Sequence, residues 1–149
     1  FIMYKFRTMV EDADTIGGPS TPDDDARITK WGRFLRKYKL DELPQLWNVI
    51  KRDMNLVGPR PEVKEYVDMM TEEERDIILS VRPGIVDLAS LWDFDEGEAL
   101  KGSIDPEKDY LDKIWPTKKK LQIEYVQNRS LALNLKILGW TLLKILRVK

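Results

Sequence analysis

The sequence has no histidine and no cysteine in 149 residues. An imidazole base, a thiolate nucleophile, a disulfide framework and the usual Cys/His zinc cages are therefore excluded. Any chemistry falls to carboxylates, helped by lysine, arginine, hydroxyls, backbone amides or an oxygen-bound metal. The lack of cysteine suits a reducing compartment. Charge of one sign is also missing: 25 Lys+Arg stand against 26 Asp+Glu, so no global basic field draws the chain to nucleic acid, and any basic surface must be local. No run reaches the roughly 18 to 20 uncharged apolar residues that a membrane-spanning helix needs. The 8 glycines form neither G-x-G-x-x-G nor a Walker-type loop, which leaves a Rossmann or P-loop nucleotide site without support. What remains is a globular composition, 42% hydrophobic and 34% charged, of a length that fits one domain.

Residues 1–9 alternate as a strand already under way, with no initiator Met and no signal peptide, so an upstream part of the protein is expected. Residues 12–26 read as a polar loop whose Asp23-Asp24-Asp25 run lacks metal-ligand spacing. In residues 27–39, Ile28, Trp31, Leu35 and Tyr38 fall at helical spacing while Lys30, Arg33, Arg36 and Lys37 take another face, which suits a surface helix or contact with anionic headgroups. Leu43, Leu46, Trp47 and Ile50 mark a helix opened by Asp41 and Glu42, with Pro44 in its first turn. Residues 62–70 and 71–81 are expected to be helical, the second capped by Thr71 with Glu74 three residues on.

Arg82-Pro83-Gly84 then breaks the chain before a strand-like run at 85–92, an acidic loop at 93–105, and helices at 106–113 and 118–127. The segment 130–149 is a helix with a Leu-rich face and a strip of Lys136, Trp140, Lys144 and Arg147, which is either a core-packing terminal helix or one lying in a membrane interface. The whole reads as a helix-rich α+β domain with a small sheet near the N-terminal strand.

Two motifs carry chemistry. Asp41 next to Glu42 at a helix start is either a plain N-cap or a phosphate-handling pair, because backbone amides and the helix dipole favour an ionised carboxylate there. Such an Asp can attack phosphorus, and two anions facing a diphosphate call for a cation, Mg2+ being the natural one. Glu42 is the better metal ligand of the Asp41-Glu42 set, leaving Asp41 free to attack. In Val57-Gly58-Pro59-Arg60-Pro61 two prolines stiffen the backbone around one guanidinium, suiting it to bind phosphate bidentately, or else to pair with Glu62 or Glu65 in a tight turn. Lys5 and Arg7 flank Phe6 and share a strand face, where they meet phosphate or solvent. Arg82 is a weaker candidate of the same kind.

Lys5-Phe6-Arg7-Thr8-Met9, residues 27–36, Leu40-Asp41-Glu42-Leu43-Pro44-Gln45-Leu46, residues 53–62 and Arg82-Pro83-Gly84-Ile85 occur in that order. Together they resemble the bacterial sugar transferases, the monotopic polyprenyl-phosphate phosphoglycosyl transferases. The likeness resumes at Tyr125-Val126-Gln127-Asn128-Arg129-Ser130. It implies transfer of a sugar 1-phosphate from a UDP-sugar to undecaprenyl phosphate at the cytoplasmic face of the inner membrane, with release of UMP and use of Mg2+. Asp41 would be the covalent nucleophile, Glu42 the metal ligand and Arg60 a phosphate binder. The likeness further implies an N-terminal membrane anchor and helices lying along the membrane plane; oligomeric state is open, with a dimer among the options.

Three positions depart from the family pattern: Arg52 stands where glycine is usual, and Gln122 and Asn134 where aspartate is common. The stretch from Asp87 to Trp115 is expected to bear on which sugar is accepted, which exchanging residues 93–103 between homologues would test. The reading from another class is a catalytically idle membrane-surface module.

Overall fold

A computed structural model describes residues 1–93 and 95–147, the last of these by its backbone alone. In chain order it contains α1 (Ala13–Ile16), α2 (Lys30–Lys37), a 3-10 turn (Leu40–Glu42), α3 (Gln45–Ile50), β1 (Asn55–Val57), α4 (Lys64–Asp68) and α5 (Glu72–Leu79). Then follow β2 (Gly84–Val86), α6 (Leu88–Trp92), α7 (Glu96–Ala99), α8 (Pro106–Asp109), a π-helical turn (Tyr110–Ile114), α9 (Trp115–Asn128) and α10 (Leu131–Arg147). The helix-rich α+β class is as the sequence indicates, but the sheet lies elsewhere.

Residues 1–9 form no strand beyond one antiparallel bridge, Met9 to Ile28. Their extended backbone is held by other partners: the Tyr4 N–H donates to Asn48 Oδ1 at 3.1 Å, Asn48 Nδ2 donates to the Ile2 carbonyl at 2.7 Å, and the Phe6 N–H donates to the Asp41 carbonyl at 2.9 Å. The sheet is instead β1 beside β2, parallel, with Asn55 opposite Gly84 and Val57 opposite Val86. The apolar run at 85–92 divides at Asp87, whose carboxylate accepts from the Ser90 N–H while Ser90 Oγ accepts from the Asp87 N–H. This reciprocal cap turns the strand into α6. Thr71 and Glu74 cap α5 in the same way, as their spacing predicts.

Two apolar clusters hold these elements. Tyr66, Met70, Ile78, Leu100, Tyr110, Ile114 and Trp115 form one, with Tyr66 and Tyr110 stacked at 5.0 Å between centroids. Val57, Leu91, Tyr125 and Ile137 form the other. Helix α9 joins them by burying Trp115 at one end and Tyr125 at the other, and the residues buried between these, Lys118 and Gln122, are polar. In that polar stretch of an otherwise core-facing stripe, Lys118 lines the larger cavity and Gln122 donates to the Arg60 carbonyl.

Helix α10 is packed on one side and bare on the other. Ile137 is fully buried, with Leu133 and Leu138 packed beside it, while Leu131, Leu135, Leu142, Leu143 and Leu146 are 50–80% exposed. By helical phase these exposed leucines share half of the circumference with exposed Lys136 and Trp140. Lys144 does not belong with them: its ammonium donates to the Leu91 carbonyl at the end of α6. At 100° per residue Lys144 falls between Leu133 and Ile137, on the packed side. The Arg147 side chain lies outside the described residues. Among the described residues no helix is long and apolar enough to cross a membrane.

Candidate active site

The pairing of β1 with β2 brings two motifs into backbone contact. The Gly58 N–H donates to the Val86 carbonyl and the Gly84 N–H to the Pro59 carbonyl, each at 3.0 Å. A Cβ on Gly84 would stand 2.1 Å from the Gly58 nitrogen, so no larger residue fits. Pro59-Arg60-Pro61 therefore leaves β1 directly beside Asp87.

Arg60 is then fixed from every side. Its N–H donates to Asp87 Oδ2 at 3.2 Å, its carbonyl accepts from Gln122 Nε2 at 3.2 Å, and Nη1 donates to the Ile85 carbonyl at 3.0 Å and to Glu42 Oε2 at 2.9 Å. Nη2 completes a two-pronged pair with Glu42 Oε1, and Lys5 Nζ reaches the same oxygen at 3.4 Å. The guanidinium thus pairs with Glu42 rather than with Glu62 or Glu65, and Glu62 turns to Lys118 at 3.3 Å.

Asp41 and Glu42 sit in the 3-10 turn ahead of α3, not in the first turn of an α-helix, and Pro44 is the residue preceding α3. Leu43 and Pro44 keep helical backbone angles into a helix of only 6 residues, so the dipole contributes less than the sequence suggests. Side-chain cations dominate instead. Burial works to push Glu42 up, but Arg60 and then Lys5 outweigh it and hold the carboxyl at about 2. Asp41 moves the other way: burial and the neighbouring Glu42 charge raise it, while Lys5 and Arg36 oppose the rise. Among the described residues no other side chain hydrogen-bonds to the Asp41 carboxylate. One carboxylate is clamped and its neighbour is left available.

Asp41, Glu42, Arg60 and Lys5 all line one cavity of about 1170 Å³. A second charged group lines the same cavity. Lys118 Nζ, buried, donates to the Tyr110 hydroxyl at 2.9 Å and to Glu96 at 3.2 Å, besides its pair with Glu62. Asp93 also lines the cavity. Burial first, then the charge of Glu96, push Asp93 up to about 7, and its buried Oδ2 has no hydrogen-bond partner among the described residues.

The structure gathers Asp41, Glu42, Arg60 and Lys5 and leaves out Arg7 and Arg82. Arg7 is exposed and pairs with Glu11 at 2.9 Å, because residues 1–9 lack the strand geometry that would keep it beside Lys5. Arg82 precedes β2 whereas Arg60 follows β1, so the parallel register sends them to opposite ends of the sheet; Arg82 borders a different cavity. Asp87 and Gln122, which hold the Arg60 backbone, and Lys118, which pairs with Glu62 and Glu96, belong to the site without having been read from the sequence as site residues. The Asp87-x-x-Ser90 cap signature was present for the first. Gln122 was marked only as a departure from the family pattern, and Lys118 only by its shared stripe on α9 with Trp115 and Tyr125.

For a divalent cation, no three carboxylates converge among the described residues. Glu42 spends three of roughly four lone-pair positions on Arg60 and Lys5, which leaves one on Oε2, and Asp41 has both oxygens free of side-chain partners. This set fits Mg2+, which takes one or two carboxylates and completes its shell with substrate phosphates and water.

Comparison with known proteins accords with the geometry. The model of the bacterial sugar transferase family matches residues 1–148. The uncharacterized sugar transferase EpsL of Bacillus subtilis (strain 168) is 39% identical over 98% of this chain and 63% of its own length. The undecaprenyl-phosphate glucose phosphotransferase of Komagataeibacter xylinus is 30% identical over 95% of this chain and 26% of its own. The UDP-N-acetylgalactosamine-undecaprenyl-phosphate N-acetylgalactosaminephosphotransferase of Aeromonas hydrophila is 44% identical over 57% of this chain and 21% of its own. The chain spans less than two thirds of each of these relatives. From the family match along nearly its whole length, the chain belongs to the bacterial sugar transferases.

Proposed function

We propose that this chain transfers a sugar 1-phosphate from a UDP-sugar to undecaprenyl phosphate through a covalent intermediate on Asp41, releasing UMP. The observation that carries this reading is the unclamped Asp41 carboxylate beside a Glu42 gripped by Arg60 and Lys5, all four on one cavity. The names of the Komagataeibacter and Aeromonas relatives, both undecaprenyl-phosphate phosphotransferases, support the class of reaction.

In the first step an Asp41 oxygen attacks the phosphorus that bears the sugar, and the bond from that phosphorus to the bridging oxygen breaks as UMP departs. In the second an oxygen of undecaprenyl phosphate attacks the same phosphorus and displaces the Asp41 carboxylate, giving the lipid diphosphate sugar. Arg60 and Lys5 carry positive charge into the region where phosphoryl charge is redistributed, and they are placed before substrate arrives, so little reorganisation is needed. Mg2+, held by Asp41 and the free lone pair of Glu42, would draw charge off the transferring group. The raised Asp41 carboxyl must still be ionised to attack, so the rate is expected to fall on acidification.

The exposed Leu face of α10, with Trp31 and Phe34 on α2 and Trp47 and Ile50 on α3, supports docking at the cytoplasmic face of the inner membrane. An idle surface module would show the same faces, and activity separates the two readings. Incubation with a panel of UDP-sugars and undecaprenyl phosphate should release UMP and leave a phosphosugar adduct on the Asp41 peptide, seen by mass spectrometry. UMP release by Asp41→Asn at the unmodified rate would refute the mechanism.

A further inference from the structure

A second cavity, of about 810 Å³, shares Leu56 and Leu138 with the first and is otherwise distinct from it. Its charge is of one sign. Arg52, Arg82 and Arg129 border it, and no aspartate or glutamate does. The three arginines come from separate places: the turn after α3, the turn before β2, and the end of α9. All three are exposed, and none of their guanidinium groups forms an ion pair or hydrogen bond with a described residue. In the first cavity, by contrast, Arg60 and Lys5 are both engaged by Glu42.

Two further observations say what kind of anion fits. Leu131 and Leu135 line the cavity and are 75% and 61% exposed. They continue into the bare Leu142 and Leu146 arc of α10, so the charged recess opens beside an apolar surface. The backbone at Arg52 has φ of 65°, in the left-handed region where glycine is the low-cost residue. A cationic side chain held in a costly conformation points to a use for the charge.

We propose that this second cavity seats the phosphate headgroup of an anionic membrane phospholipid, its acyl chains lying along the Leu131 and Leu135 side of α10. Guanidinium forks bind phosphate oxygens in pairs, and arginines beside an apolar face act together with lipid burial. The proposal rests on the reading that the chain works at a lipid surface but not on its transfer chemistry, so Asp41→Asn should bind vesicles as the unmodified chain does.

The test is partitioning of the chain onto phosphatidylcholine vesicles with and without phosphatidylglycerol. We expect a preference for phosphatidylglycerol that falls at least ~10-fold when Arg52, Arg82 and Arg129 are all changed to Gln. The triple Arg→Lys variant keeps the charge and removes the forks, and should lose a substantial part of the preference. Inorganic phosphate at millimolar concentration should not displace the chain from the vesicles. Unchanged preference in the Gln variant, full preference in the Lys variant, or displacement by free phosphate would each overturn the proposal: the first leaves the cavity no role, the second leaves only diffuse charge, and the third makes it a soluble-phosphate site.

Discussion

The cavity is lined by two carboxylate pairs, and they behave in opposite ways. Glu42 is gripped by Arg60 and Lys5 together, and these cations hold it at about 2. Asp93 and Glu96 lie near Lys118, but that ammonium is divided between Glu96, Glu62 and the Tyr110 hydroxyl, so burial prevails and Asp93 rises to about 7. The lesson concerns ratio rather than proximity. Two cations on one carboxylate keep it charged, whereas one cation among several acids leaves a proton in the cluster.

The same substitution in both pairs gives the sharpest contrast. Asp41→Asn should lower UMP release by roughly 10^4-fold or more, as for loss of a nucleophile, while Asp93→Asn should leave turnover within about tenfold of the unmodified chain, a factor worth ~1.4 kcal/mol in barrier. Comparable losses at the two positions would break the distinction. Next in size, Arg60→Lys keeps a charge but loses the fork, and is expected to cost about 10^2 to 10^3 in kcat, in line with removal of a preorganised donor. Lys118→Met leaves the buried Glu62 carboxylate and the partly exposed Glu96 without their cation and should destabilise the fold by about 3 kcal/mol, read as a fall in denaturant midpoint.

The smallest effects are in the pH profile of stability. Glu42 is depressed on folding, so its contribution is present above its unfolded value of 4.5 and disappears as pH falls through about 2. Asp93 is raised on folding, so its contribution is full below the unfolded value of 3.8 and is lost as pH rises through about 7. Asp93→Asn should therefore gain ~1 kcal/mol at pH 8 after allowance for partial exposure, and nothing at pH 4. Thermal melts across that range would show it, and an equal gain at both ends would contradict the assignment.

How much could be read beforehand follows the range of the interactions. Asp41-Glu42, Pro59-Arg60-Pro61 and the Thr71 cap are local patterns, and all were legible. The partner of Arg60 was not: Glu62 and Glu65 are neighbours in sequence, whereas Glu42 is brought near by the packing of the 3-10 turn against the extended residues 1–9, where the Phe6 N–H meets the Asp41 carbonyl. The strand expected over residues 1–9 failed for a related reason, since alternation specifies an extended backbone but not a neighbouring strand, and Asn48 supplies the partners instead. Lys118 begins a run of three lysines, and nothing but its phase on α9 separates it from Lys120, which is exposed. In α10 the pattern told which residues were apolar, yet only the fold shows that Ile137 is covered and Leu142 is bare.

The contact between Gly58 and Gly84 has a consequence for how this molecule can change. With the backbones that close, neither position can accept a methyl group without prising the strands apart, and the guanidinium two residues past Gly58 would travel with them. On the proposed mechanism, the setting of Arg60 and the integrity of the two-stranded sheet are thus one mechanical variable, and adaptation to a new substrate falls to cavity positions where a side chain can be exchanged without disturbing that junction.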